Sequence, residues 1–145
     1  MQANELWAQF AQANDLINEP YEAWAFGGAP DELAWLVLQG EKTATSSAYD
    51  VYRMKGQPLP KAGEYSVILN SRQEAVCIIR TINVQILPFG EVDEQHARKE
   101  GEGDKSLSYW RKIHRDFFKA ALQKIGLSFD ESRKVVCEEF EVVYP

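Results

Sequence analysis

The stretch from residue 75 to residue 87 constrains this chain more than any other. Ile82, Val84 and Ile86 alternate there with Thr81, Asn83 and Gln85. A period of two sends successive side chains to opposite faces, which is the pattern of a strand and not of a helix. Pro88-Phe89-Gly90 closes the run. Residues 65–69, Tyr-Ser-Val-Ile-Leu, read as a second strand, followed by a turn at Asn70-Ser71-Arg72. A third strand is expected over residues 134–144, with Phe140, Val142 and Tyr144 on one face.

Helical spacing surrounds these strands. Leu6, Trp7, Phe10, Asn14 and Ile17 predict an amphipathic helix over about residues 4–18. Pro30-Asp31-Glu32 is a helix start, with an early proline and acids in the first turn, and Leu33, Leu36 and Val37 form its stripe. Gly40 is placed to stop that helix in a left-handed conformation, after which residues 41–47 run extended. Gly56 to Gly63, with two prolines, is a loop. A short acidic helix is expected over residues 93–100, a break at Gly101 to Gly103, and a longer helix over residues 106–124 carrying Leu107, Trp110, Ile113, Phe117, Ala121 and Leu122. Strands and helices do not alternate regularly, which disfavours a doubly wound parallel sheet. The pattern fits an α+β fold, a small mixed β-barrel with helices outside it.

No repeat, low-complexity tract or linker divides the chain, so residues 1–145 are expected to form one domain with an N-terminal helical extension. The net charge of -6 argues against tight non-specific binding to nucleic acid, which depends on neutralised phosphates. Cys77 and Cys137 sit in apolar runs and read as buried thiols. With His96 and His114 they make no close ligand spacing, so neither a metal nor a cofactor is expected. No apolar run reaches the roughly 18 residues of a membrane span, and a cytoplasmic location follows by default.

Three segments carry chemistry. The first is Gly40-Glu41-Lys42-Thr43-Ala44-Thr45, followed by Ser46 and Ser47. In extended structure Thr43 and Thr45 share a face and Lys42 takes the other, although the turn after Gly40 allows Lys42 to bend toward Thr45. A lysine in a partly dry pocket serves as base or anion clamp, and a threonine hydroxyl is a nucleophile once a base takes its proton. The alternative is a polar loop with a solvated lysine. The second segment, Glu100-Gly101-Glu102-Gly103-Asp104, holds an acid/base residue or hard-cation ligands, or else is a solvated loop in which Asp104 or Ser106 caps the next helix. The third pairs Trp110 with His114 on one helix face, near Arg111 and Arg115. It suits either a stacked heterocycle or a core tryptophan beside a half-buried histidine. Tyr21, Trp24 and Phe26, before Gly27-Gly28, line the same pocket or pack in the core.

Taken together, these pieces resemble the ASCH domain family of the PUA-like superfamily, and especially its bacterial stand-alone subgroup. The resemblance rests on Trp24-Ala25-Phe26-Gly27, Asp31-Glu32-Leu33-Ala34, Leu38-Gln39-Gly40-Glu41-Lys42-Thr43-Ala44-Thr45, Pro88-Phe89, Glu100-Gly101-Glu102-Gly103-Asp104, Trp110 with His114, and Val136-Cys137-Glu138-Glu139-Phe140. It implies a PUA-like β-barrel flanked by helices, a cleft lined by the Gly-x-Lys loop, and action on RNA or its nucleosides. One bacterial branch removes the acetyl group from N4-acetylcytidine with a lysine, a threonine and a glutamate, which correspond here to Lys42, Thr45 and Glu100. This chain departs from that branch in three ways: it is longer, with an extra N-terminal helix, it has Ser46-Ser47 where the branch has a basic residue, and it carries the Gly-Glu-Gly-Asp run after Glu100.

The expectation is therefore an amidohydrolase acting on a modified nucleoside such as N4-acetylcytidine, with a non-catalytic RNA- or nucleotide-binding module and a ribonuclease as alternatives. Lys42, Thr45 and Glu100 are its expected catalytic residues. Trp24, Phe26, Gly40, Thr43, Ser46, Glu102, Asp104, Trp110 and His114 are its expected binding residues. The expected partner is a modified nucleoside or short RNA, with no membrane, and the protein is taken as a monomer or dimer.

Overall fold

The computed structural model describes residues 1–145. Its elements run α1 (Ala3–Ala13), β1 (Tyr21–Ala25), α2 (Pro30–Leu38), β2 (Ala44–Ala48), α3 (Tyr49–Lys55), β3 (Tyr65–Leu69), β4 (Ala75–Pro88), α4 (Glu94–Glu100), α5 (Leu107–Gln123) and β5 (Lys134–Tyr144), with a 3-10 turn at Phe89–Glu91. The strands form one sheet in the order β1-β3-β4-β5-β2. β1 pairs with β3 in parallel and every other pair is antiparallel. The sheet curls into a half-barrel, giving an α+β, PUA-like architecture. The barrel does not close, because β1 and β2 are its two edges and do not pair.

The long strand β4 makes the curl. Its first half pairs with β3 and its second half with β5. Register breaks at Ile82, which lies between the pairs Thr81↔Phe140 and Asn83↔Glu139, and a bulge of this kind bends a strand. Beyond the bend the apolar side of β4 turns outward, leaving Ile82 and Ile86 exposed. A second break skips Val143, between Ile79↔Val142 and Ile78↔Tyr144. The unbroken register from Phe140 to Val142 keeps those two on one side of β5 as expected, with Phe140 in the core and Val142 exposed, and only Tyr144, beyond the break, is shifted and packs beside α1.

The buried side chains gather in three clusters. Leu6, Trp7 and Phe10 seat α1 on Val67, Leu69 and Ile78, and the Trp7 ring stacks on Tyr21 at 4.6 Å. Ala34 and Val37 seat α2 on Ile68, Cys77, Ile79 and Phe140, with Phe26 in the same cluster. Trp110, Phe118 and Leu122 seat α5 on Phe89, Val135 and Cys137. Each large side chain buried this way contributes on the order of 1.5–3 kcal/mol. Cys77 and Cys137 are buried free thiols, and burial pushes each up to about 12.

Two expectations need correction, and two elements are added. α1 stops at Ala13 and not near residue 18, because Asp15 takes a left-handed φ of 55° that no helix continues through, and Ile17 is 73% exposed. Tyr21–Ala25 is a strand, and Tyr49–Lys55 is a helix that the sequence reading did not include. On α5 the buried stripe is Trp110, His114, Phe118 and Leu122, while Ile113 and Phe117 lie on the exposed side. The start of α2 at Pro30 and the left-handed Gly40, at φ 76°, are as expected. No helix is long and apolar enough to cross a membrane.

Candidate functional site

Lys42 is carried into the interior by the way α2 ends. With Gly40 left-handed, the N–H groups of Glu41 and Lys42 both donate to the Leu36 carbonyl, at 3.0 and 3.1 Å. The chain then threads between two elements. Thr43 N–H donates to the Lys99 carbonyl at 2.7 Å, and Phe140 N–H donates to the Thr43 carbonyl at 3.0 Å. This clamp leaves Lys42 only 1% exposed. Its Nζ donates to Glu100 Oε1 at 3.1 Å and to Glu102 Oε2 at 2.9 Å, and sits 5.3 Å from the centre of the Phe26 ring.

Glu100, the last residue of α4, is equally buried and collects the donors around it. Its Oε2 accepts from Trp110 Nε1–H at 2.6 Å and from the Ser46 hydroxyl, with His96 Nε2 at 2.9 Å. His114 Nε2 lies 3.5 Å from Oε1. Burial alone pushes the Glu100 carboxyl up, but the Lys42 ammonium and the bonds from His114 and His96 outweigh it and hold it well below its ordinary 4.5. Burial lowers His114, yet the Glu100 carboxylate beside it wins and raises it above 6.5. Glu102 is the opposite case. Burial and the charge of Glu100 prevail over Lys42 and raise its carboxyl. One carboxylate is thus locked in its ionised form beside a second that takes up a proton more readily.

Glycines shape this cluster. α4 ends at Gly101 with φ 69°, and a Cβ there would run into the Glu41 carbonyl. Gly103 packs against the ring of Tyr109, where a Cβ would come within 2.6 Å of it. Glu100, Glu102 and His114 each offer one ligand atom within 4.8 Å of the others, a spacing that suits a divalent cation. The Lys42 ammonium already bonds both carboxylates, so a metal would have to displace it.

One cavity opens onto this cluster and shares a wall with a second, larger one. A pocket of about 230 Å³ is lined by Lys42, Ser46, Glu100, Glu102, His114 and Phe117, among others. A groove of about 1040 Å³ lies along the unpaired edges of β1 and β2, with Trp24 and Tyr52 in its walls. Phe26, Gly27, Thr45 and Ser46 line both. The open seam of the barrel is therefore the cleft.

Of the residues expected at the site, Lys42, Ser46, Glu100, Glu102, His114, Thr45 and Phe26 line the pocket, and Trp24 lines the groove. Four others do not line either cavity. Trp110 is sealed behind Glu100, stacked on His114 at 4.5 Å, because its indole N–H is spent on the carboxylate. Gly40 forms the turn, and Thr43 bonds the Lys99 carbonyl through its hydroxyl. Asp104 is exposed and accepts from Ser106 N–H, while Ser106 caps α5. Arg115 points to Glu131 and the Phe89 ring, away from the pocket. Lys42 and Thr45 share the pocket without a hydrogen bond between them.

Two site residues escaped the sequence reading. His96 bonds the Ser46 hydroxyl at 2.7 Å and Glu100 at 2.9 Å. Its position four residues before Glu100 on α4 was a usable signal. Glu138, buried on β5 and bonded by the Thr81 hydroxyl at 2.7 Å, lines the groove.

Comparison with known proteins decides the family. The ASCH domain model matches residues 22–144, from β1 to the end of β5. The chain belongs to the ASCH domain family. An ASCH domain from Lactobacillus crispatus JV V101 is 31% identical over 98% of this chain and 94% of its own, with a TM-score of 0.89. A protein from Enterococcus faecalis V583 is 37% identical over 97% of this chain and 87% of its own, with a TM-score of 0.90. The ASCH protein of Zymomonas mobilis is 13% identical over 83% of this chain and 69% of its own, at a TM-score of 0.54, and shares the fold alone. No protein of curated function matches. Helix α1 lies outside the residues matched to the ASCH domain.

Proposed function

We propose that this ASCH-domain protein is a hydrolase that cleaves an amide on a modified nucleoside such as N4-acetylcytidine. The observation that carries this reading is Lys42, buried between two carboxylates of unlike protonation behaviour, in a pocket that shares Thr45 with a larger groove. A buried amine, a hydroxyl and a proton-accepting carboxyl within one cleft are the parts of covalent acyl transfer.

In the proposed sequence, substrate entry moves Lys42 Nζ from Glu102 toward Thr45, and Glu102 keeps the ammonium proton. The neutral amine takes the Thr45 hydroxyl proton as the oxygen attacks the acyl carbon. Collapse of the tetrahedral intermediate breaks the C–N bond, and Lys42 returns the proton to the leaving amine. Water then hydrolyses the acyl-threonine. Glu100 stays ionised throughout and positions Lys42. The test is to incubate purified protein with N4-acetylcytidine and follow deacetylation by chromatography. Turnover lost in Lys42→Ala and in Thr45→Ala is expected. No turnover above the Lys42→Ala variant overturns the proposal.

A second reading, a nucleotide-binding module without catalysis, draws on the missing bond between Lys42 and Thr45. Binding that survives Thr45→Ala but not Lys42→Ala, without product, distinguishes it.

A further inference from the structure

The groove floor holds a carboxyl that the proposed chemistry does not use. Glu138 is 7% exposed, and Thr81 donates to its Oε2 at 2.7 Å. Its other oxygen, Oε1, accepts no hydrogen bond within the chain and yet is not sealed from solvent, so it faces the groove. Most buried carboxylates have both oxygens satisfied by the protein, because a bare one is costly. Here one oxygen is bonded and the other is kept open to a cavity.

Its surroundings say what the open oxygen meets. Glu138 pairs directly with Thr45 across β2 and β5, so the two side chains stand on the same face of the sheet as near neighbours. Trp24 and Phe26 form an edge-to-face aromatic wall nearby, with ring centres 4.9 Å apart. Ser66, buried on β3, adds a hydroxyl to the same groove. The other charges lining the groove are Glu19, Glu22, Glu64 and Lys61, an acid excess that repels phosphate and tolerates a neutral or N–H-rich ligand. Burial pushes the Glu138 carboxyl up, ahead of the opposing pull of Thr81, so ligand contact also relieves a strained charge.

We infer that Glu138 is the specificity-determining residue of the cleft, accepting through Oε1 the N–H of an exocyclic amino or amido group on a heterocyclic base, with the acyl carbon that the amido group carries lying at Thr45. This inference rests on the nucleoside reading above and names the residue that recognises the base. A floor built to accept an N–H discriminates strongly against a ligand lacking one, because the buried oxygen is then left unpaired.

The experiment measures cytidine and N4,N4-dimethylcytidine, which lacks the exocyclic N–H, by titration calorimetry. The proteins are wild type, Glu138→Leu and Asp116→Asn, the last removing an exposed charge of α5 that lines neither cavity. Wild type and Asp116→Asn are expected to bind cytidine at least about tenfold more tightly than the dimethyl compound, the effect of one hydrogen bond to a charged group. Glu138→Leu, shown to be folded by its circular dichroism and thermal transition, is expected to bind the two within about twofold of each other. Discrimination that persists in Glu138→Leu overturns the assignment of Glu138 and leaves the hydrolase proposal standing. Wild type that binds neither compound overturns the nucleoside reading, and this inference with it.

Discussion

Replacing Glu100 with glutamine keeps the side-chain shape and removes one charge from the interior. The magnitude of its effect follows from the contacts. Glu100 accepts from Lys42, Ser46 and Trp110 and lies beside His96 and His114, so no orientation of a glutamine satisfies them all. If its NH2 group takes the Oε1 position it faces the Lys42 ammonium, and at Oε2 it faces the Trp110 N–H. Removing one partner of a buried ion pair costs about 3–5 kcal/mol, and each donor left unpaired about 1–3 kcal/mol. Glu102 still holds Lys42 at 2.9 Å and limits the loss, so the net is about 3–5 kcal/mol. At roughly 3 °C per kcal/mol, Tm falls by about 9–15 °C. Urea unfolding followed by tryptophan fluorescence reads it, with the midpoint lowered and the slope unchanged. Pairing Glu100→Gln with Lys42→Met gives the coupling, and the double variant is expected to lose at least about 2 kcal/mol less than the sum of the singles. Glu100 has a depressed carboxyl, so its stabilisation is complete above its ordinary 4.5 and is lost as pH falls through the lower folded value. The gap between wild type and variant should therefore close in acid. A loss below about 1 kcal/mol at pH 7, or a gap that ignores acid, refutes the claim that Glu100 organises the site.

Gly101→Ala is expected to destabilise by at least about 2 kcal/mol, since it strains a left-handed φ and drives a methyl into the Glu41 carbonyl; an unchanged Tm refutes the close approach. His114 is raised, so what it contributes is complete below its ordinary 6.5 and is lost as pH rises through the higher folded value. His114→Gln should accordingly cost more Tm at pH 6 than at pH 9, and equal losses would count against the Glu100–His114 contact. Glu138 is raised too, and for a carboxyl this means wild type gives up stability as pH rises above 4.5. Measured by thermal scans, Tm of Glu138→Leu should gain on wild type between pH 4 and pH 8; a widening deficit would contradict the burial of that charge.

The elements legible in the sequence are those whose signals are local. Pro30 with its following acids starts α2, Gly40 stops it, and Ser106 caps α5. Strand β5 was readable to its ends, but which of its residues face inward was not. That depends on which helix covers each part of the strand, α2 over Phe140 and α1 over Val143 and Tyr144, and on the break that skips Val143, all of them contacts between distant parts of the chain. β1 was illegible for the same reason: Tyr21–Ala25 becomes a strand by lying parallel to β3, and only Tyr21 and Ala25 reach the α1 core. At the site, the motif around Lys42 and the acid at Glu100 were visible, and the fold brings them within 3.1 Å. Glu138 belongs to a segment that the family resemblance rests on, but its place at the groove follows only from its register opposite Thr45. Trp110 was noticed for its ring, whereas its indole N–H is what the site uses.

The strand bearing Thr45 and Ser46 has a single neighbour in the sheet, β5, which is made long after it. Closing so long a loop must precede any reward from the pairing, so β2 is expected to dock late in folding. During synthesis, a nascent chain already displaying Lys42 and the acids of α4 holds no finished cleft until β5 emerges and aligns Glu138 with Thr45. Half-made copies are then inert toward whatever the complete cleft binds.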